Sequence, residues 1–205
     1  MNQSQFMSIR KIQSLTLLWI YAIIWNNKCS CLKSEFDEDM ILMKLENAEL
    51  KNIERIVAIS KAAFDSDINV GASEAGGPPD YDSISWHIQM KNEGHLLQAV
   101  MNEEIVGGAV LFLDKDNETL YIGRIFLNPV HYRKGYGISL MKMVETFYPG
   151  IKKIKLDTPI WNVRTNAFYT KLGYCEVKRD KEFVYYQKEL VGSAESEFKG
   201  GFYSE

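Results

Sequence analysis

The sequence predicts an α+β domain of three layers. A mixed, mostly antiparallel sheet of about six to seven strands is flanked by about four helices. Three observations lead there. From residue 40 onward, strand-like and helix-like segments follow in the order β-α-α-β-β-β-α-β-α-β-β. The three central strand-like segments are separated only by short turn sequences, which makes a β-meander, and helical segments interleave with the strands around it, which implies a mixed sheet with helices on its faces. No internal repeat or low-complexity tract interrupts residues 40–190, so one core accounts for them.

Taken in order, "MILMKLENA" is a short strand. Asn47 is placed to cap the next segment and Glu49 suits a first helical turn. Leu50, Ile53, Val57 and Phe64 recur at helical spacing, which predicts an amphipathic helix from 49 to about 65. The following "DSDINVGASEAGGPPD" is a loop, because Gly76, Gly77, Pro78 and Pro79 oppose regular structure. "YDSISWHIQMKNEG" is a short helix with Asp82 or Ser83 near its start. "HLLQAVM" and "EIVGGAVLFLD" form a hairpin about "NEE", and after "DNET" the third strand of the meander is "LYIGRIFLNP".

"ISLMKMVETFY" is helical, with Leu140, Met141, Val144, Phe147 and Tyr148 on one stripe, and Pro149-Gly150 ends it. "IKKIKLDTPI" is a strand, and "NVRTNAFYTKLG" a helix that Gly173 terminates. "YCEVKRD" and "EFVYYQKEL" pair as the last two strands.

Residues 1–39 have a different texture. Arg10 and Lys11 precede the hydrophobic run 12–25, which is short for a membrane span and broken by Gln13, Ser14 and Thr16. It has the look of a signal-peptide core without a small-x-small cleavage site. Three readings stand: a weak anchor or signal, an extra helix on the domain, or a non-native extension upstream of a start near Met40 or Met43. The tail 191–205, with Gly192 and Ser193 at its start, is polar. A cytoplasmic protein is expected, the alternative being membrane association through 12–25.

A formal net charge of -3 among 205 residues leaves no positive excess for a broad nucleic-acid surface. Cys29, Cys31 and Cys175 make no disulfide framework, and with His87, His95 and His131 scattered no metal site is expected.

The chemistry concentrates in "NPVHYRKGYGISL", where a strand ends, a basic glycine-containing loop follows and a helix begins. A dinucleotide fingerprint requires a third glycine where Leu140 stands, and belongs in an early βαβ unit. A Walker-type loop requires Lys after the last glycine, whereas Lys134 precedes Gly135. Backbone N–H groups at a helix N-terminus bind an anion without metal, and glycine permits its close approach. Alone, the loop is equally an ordinary strand-to-helix turn with surface charges.

A second segment, "NVRTNAFYTKLGY", decides between these. Together the two resemble the GNAT superfamily of acetyl-CoA-dependent N-acetyltransferases. The first resembles its pyrophosphate loop, Q/R-x-x-G-x-G/A, with Tyr132 in place of the leading residue and Arg133 beside it. The second resembles N-x-x-A-x-x-x-Y-x-x-x-G-F/Y, with Thr165 where Ala is usual. The resemblance spans about 40–190, and the element order agrees with that fold.

The resemblance implies acetyl transfer from acetyl-CoA, as co-substrate and without metal, to the amine of a small molecule or peptide in a ternary complex. It implies that Ile125, Phe126 and Leu127 offer backbone groups to the pantetheine arm, by strand augmentation. Arg133, Lys134, Gly135, Tyr136, Gly137 and Ile138 would cradle the pyrophosphate, with Phe168 on the cofactor side. Asn162 would contact the cofactor or cap its helix. Tyr169 would be the general acid that protonates the departing thiolate. Many relatives carry a carboxylate on the strand before the loop, but here Arg124 is that strand's only charge. Asp157 is therefore the candidate base or acceptor contact, ahead of Asp80, Asp82 and His87. The acceptor wall is expected from "ASEAGGPPDYDS" and "DTPIW", with Tyr81, Trp86 and Trp161. Cys175, beyond the last helix, is a poor nucleophile candidate. A non-catalytic acyl-CoA-binding domain is the alternative, and a homodimer is compatible with either.

Overall fold

A computed structural model describes residues 43–190. The hydrophobic run 12–25, Cys29, Cys31 and the tail from Gly192 lie outside them. The strands are β1 (Met43–Asn47), β2 (Leu96–Met101), β3 (Glu104–Leu113), β4 (Thr119–Leu127), β5 (Lys153–Pro159), β6 (Cys175–Arg179) and β7 (Phe183–Glu189). The helices are α1 (Ile53–Asp65), α2 (Ile84–Asn92), α3 (Tyr136–Phe147) and α4 (Val163–Lys171). One seven-stranded sheet has the order β1-β2-β3-β4-β5-β7-β6. Among these strands only β4 and β5 pair in parallel. The predicted three-layer α+β class and order of elements hold.

Each face of the sheet has its own core. Ile53, Ile56, Ile59 and Ala63 of α1 and Met90 of α2 pack with Leu96, Ile105, Val110 and Phe126. On the other face Met141 and Val144 of α3 and Tyr169 of α4 pack with Leu97, Leu111, Leu120, Ile122, Ile154 and Leu156. Leu50 departs from the predicted stripe of the first helix: it is 59% exposed in a 3-10 turn, Leu50–Asn52, that precedes α1. Asn47 is not a cap either, since it closes β1. Buried Gln98 on β2 organises that entry instead. Its Oε1 accepts from Glu49 N at 3.1 Å and from Asn52 Nδ2 at 3.0 Å, while its Nε2 donates to Glu46 at 2.8 Å. One internal amide thus satisfies a turn that local sequence leaves uncapped.

Ser83, rather than Asp82, caps α2, its hydroxyl accepting from Trp86 N at 3.2 Å. The β2–β3 hairpin turns on Asn102 and Glu103, both at positive φ (50° and 65°). That is the primed geometry suited to strand twist.

The consequential irregularity is in β4. Val110 faces Arg124 and Leu111 faces Ile122, so Gly123 is an extra residue with no partner on β3. A Cβ at Gly123 would fall 2.6 Å from the Phe112 ring, which explains the glycine. The bulge coincides with the end of the β4–β5 ladder, which runs only from Thr119–Lys153 to Ile122–Leu156. Beyond it the strands part, and Gly123–Leu127 have no partner on the β5 side. The sheet is open at its centre.

Candidate active site

The fork between β4 and β5 brings three parts together. The first is the free edge of β4. Ile125 is half-buried and Phe126 and Leu127 are buried, so their side chains serve the cores and their backbone edge remains. An unpaired strand edge offers alternating N–H and C=O groups to any extended amide chain.

The second part is the loop leading into α3. Asn128 Oδ1 accepts from Val130 N at 3.2 Å and starts a single 3-10 turn, Pro129–His131. Arg133 (φ 61°) and Gly135 (φ 85°) are left-handed. Gly135 has no neighbour within 4 Å of a built Cβ, so its conformation, not crowding, calls for glycine. The Gly135 carbonyl accepts from Ile138 N at 3.0 Å and Ser139 N at 3.2 Å. The N–H groups of Tyr136 and Gly137 have no acceptor among the described residues, as expected for an uncapped helix start. They sit at the positive end of the α3 dipole. Arg133 and Lys134 are exposed beside them. Gly137 abuts Phe168, whose ring lies 3.5 Å from a Cβ built there, so α4 buttresses the loop.

The third part is Tyr169. It is buried, and its ring packs against those of Phe168, Tyr174 and Tyr186 at 5.5–5.9 Å. It shares a core cluster with Ile122 and Leu156, the last pair of the ladder, and so lies at the fork. Tyr174 donates to Glu145 at 3.1 Å and Tyr186 to Asn166 at 2.9 Å. The Tyr169 hydroxyl has no partner among the described residues. Burial, and then the charges of Asp157 and Asp67, raise its pKa, so the phenol keeps its proton near neutrality.

Asp157 stands on the opposite face of the sheet. Ile154 and Leu156 of β5 point into the core that holds Tyr169, while Asp157, at the alternate position, is only partly buried. Its Oδ1 accepts from the Tyr121 hydroxyl of β4. Burial and this carboxylate raise the Tyr121 pKa. A hollow of about 290 Å³ lined by Tyr121, Lys155 and Tyr185 adjoins the pair. The structure thus sets Tyr169 on one side of the fork and Asp157 on the other, with the open edge between.

Asn162 is buried, and both ends of its amide are engaged. Its Oδ1 accepts from Thr165 N at 3.1 Å, capping α4, and its Nδ2 donates to Asp67 at 2.9 Å. Arg164 Nη2 bonds the same Asp67 carboxylate. The Arg164 guanidinium also lies 4.7 Å from the centre of the Tyr132 ring at the head of the anion loop. These contacts tie the turn after α1 to α4 and to the loop. Arg164 and Asp67 went unselected from sequence, although Arg164 lies inside the second motif. Tyr121 carried no signal at all, since only strand register sets it beside Asp157.

On the acceptor side, Gly71, which precedes the predicted segment 72–83, meets the Trp161 carbonyl, 2.7 Å from a built Cβ. Trp161 is 40% exposed there. Tyr81 packs edge-on to Phe64 and donates to Asp65 at 2.8 Å. Trp86 lies against Arg124. Asp80 and Asp82 are exposed loop residues, and His87 is wholly buried. Cys175 is exposed on β6. Among the described residues no cluster of His, Cys, Asp and Glu could hold a metal, and no helix is long and apolar enough to cross a membrane.

Solved structures of acetyltransferases share this fold. The PaiA N-acetyltransferase of Thermoplasma acidophilum, solved in complex with coenzyme A, superposes with a TM-score of 0.62 at 14% identity, over 73% of this chain and 100% of that one. An acetyltransferase of Thermus thermophilus gives 0.62 at 14% identity, over 73% and 98%. The ribosomal-protein-S18-alanine N-acetyltransferase of Escherichia coli gives 0.55 at 15% identity, over 76% and 98%. No curated protein matches the sequence. The model of the Acetyltransferase (GNAT) family matches residues 56–174, more than half of the chain, and the chain belongs to that family. Acyl transfer from a coenzyme A donor is the chemistry that this membership supports.

Proposed function

We propose that the protein transfers an acetyl group from acetyl-CoA to an amine by direct attack in a ternary complex. The observation that carries this reading is the fork itself, an unpaired strand edge with a buried, proton-bearing phenol on one side and a carboxylate on the other. The pantetheine arm pairs with Gly123–Leu127, and the pyrophosphate meets the amides of Tyr136 and Gly137, with Arg133 and Lys134 adding charge. The acceptor approaches from the face that carries Asp157.

The amine nitrogen attacks the thioester carbonyl, and the carbon–sulfur bond breaks as the tetrahedral intermediate collapses. Tyr169 gives its proton to the departing sulfur. Tyr121 holds Oδ1 of Asp157 and leaves Oδ2 to accept the amine proton, directly or through water. Asn162 acts here by capping α4 and fixing the height of Tyr169 on it. A binding-only domain is the reading favoured by the absence of a carboxylate on β4. Asp157, one strand away and at the same fork, supplies the group that reading lacks.

The test is a panel of amines with acetyl-CoA, read by free thiol release, with coenzyme A binding measured by calorimetry. Tyr169→Phe should lower kcat by about 10²–10⁴ while the coenzyme A Kd stays within twofold. Strong coenzyme A binding without thiol release from any amine would leave the binding-only domain standing. Complete loss of activity in Cys175→Ala would overturn direct transfer in favour of an acyl-enzyme.

A further inference from the structure

Two buried side-chain polar atoms lack a hydrogen-bond partner among the described residues, Nη1 of Arg124 and Nε2 of His87. Both belong to one cluster. The Arg124 guanidinium lies 3.7 Å from the centre of the Trp86 ring. Trp86 meets His87 edge-on at 5.1 Å, and His87 meets Phe126 at 6.5 Å. Arg124 follows the bulged Gly123 and shares a face with Phe126, so it stands at the mouth of the fork on the acceptor side. Its Nη2 donates to the carbonyl of Pro79, which fixes the guanidinium beneath the Gly-Pro loop. No ion pair to Arg124 is formed among the described residues. His87 Nδ1 lies 2.7 Å from the Ser83 carbonyl and so carries the ring hydrogen, which leaves Nε2 a bare acceptor.

A half-buried guanidinium held by one carbonyl and one aromatic ring is costly unless an anion completes it. Nη1 is left unsatisfied, and a guanidinium pairs best with a planar two-oxygen anion. Asp80 acts on Arg124 and Asp82 on His87, both negative, and Asp82 is itself 4.0 Å from Lys61. A single carboxylate matches the one guanidinium, and the two aspartates disfavour an anion of higher charge.

We infer that Arg124 recognises a carboxylate on the acceptor, which makes the substrate an amine with a carboxylate close by, as in an amino acid or an amino-acid-like small molecule. This rests on the acetyl-transfer reading and names the substrate class for the same site. Arg124 binds and orients the acceptor without taking part in proton transfer. His87 backs Trp86, and Trp86 backs the guanidinium.

The experiment compares acceptors in matched pairs, each amino acid against its own carboxamide, by thiol release with the intact protein. The wild type should favour the carboxylate member by about 10- to 100-fold in kcat/KM, the worth of one charge-assisted contact. Arg124→Met should abolish that preference by raising KM for the carboxylate member relative to its carboxamide, the two compared in the same variant at saturating acetyl-CoA. Arg124→Lys should restore part of it. Equal use of both members by the wild type overturns the inference and leaves acetyl transfer standing. A second arm needs no turnover: calorimetric titration of N-acetyl amino acids and their amides into the coenzyme A complex. Carboxylate-selective binding lost in Arg124→Met supports the inference even if no amine is acetylated, and its absence there overturns it.

Discussion

At the scale of single residues, burial sets protonation. His87 lies wholly inside α2's packing, and burial lowers its pKa, with the nearby Arg124 charge acting in the same direction against the Ser83 carbonyl and Asp82. A group with a depressed folded pKa contributes stability that is present above its unfolded pKa, about 6.5, and lost as pH falls toward the folded value. The melting temperature should therefore fall as pH drops from 7 to 5 more steeply in wild type than in His87→Gln, as differential scanning calorimetry would show. Gly135 gives a second residue-scale prediction. Its φ of 85° disfavours any side chain, so Gly135→Ala should cost about 1 kcal/mol of stability and weaken coenzyme A binding together. Isothermal titration paired with urea unfolding separates the two effects. Motif and chemistry single out Gly135, Tyr169 and Asp157 as candidates from the sequence alone. Asn162 was legible only as a choice of two roles, because a cap and a ligand contact require the same amide.

Between elements, the decisive contact is the one that joins the turn after α1 to the start of α4. Asp67 is nearly buried, and burial raises its pKa against the opposing pull of Arg164 and Asn162. Removing Arg164 leaves that carboxylate without its cation. Arg164→Ala should cost about 1–3 kcal/mol, between the exposed-pair and buried-pair ranges, because water reaches the guanidinium. Asp67→Asn keeps a hydrogen-bonding partner and should cost less, and the order of the two in chemical denaturation is the check. Arg164→Ala should also weaken coenzyme A binding, since Tyr132 loses the cation stacked on it. The elements themselves were legible from periodicity and turn residues, down to the β2–β3 hairpin and the Gly173 stop. The entry to α1 was not. Leu50 has the right spacing but is solvent-exposed, because Gln98, far along the chain, dictates where the helix begins. Such long-range satisfaction leaves no local trace.

For the whole molecule, two half-sheets meet at β4 and β5. Order and crossover were legible as an alternation of strands and helices, but the open centre was not, because a bulge is a mismatch between two strands and is invisible in either alone. The ladder that joins the halves has four residue pairs, against seven in β5–β7 and β3–β4. Coenzyme A bound as proposed, along β4 and at the α3 start, should stabilise the molecule. At 100 times its Kd the shift should be about 2.7 kcal/mol in unfolding free energy by mass action, which a thermal-shift titration can read. The bulge at Gly123 has a mechanical meaning as well. It makes the short parallel ladder the seam along which the sheet would tear under tension, with the ligand's own amides as stitches across it. On the proposed function, hydrogen exchange would record this as those amides of Gly123–Leu127 that face away from β3 being fast in the free protein and slow in the complex, while those of Thr119–Ile122 barely change. If the donor binds as proposed, a single extra residue converts part of a static sheet into a seam that its substrate would fasten.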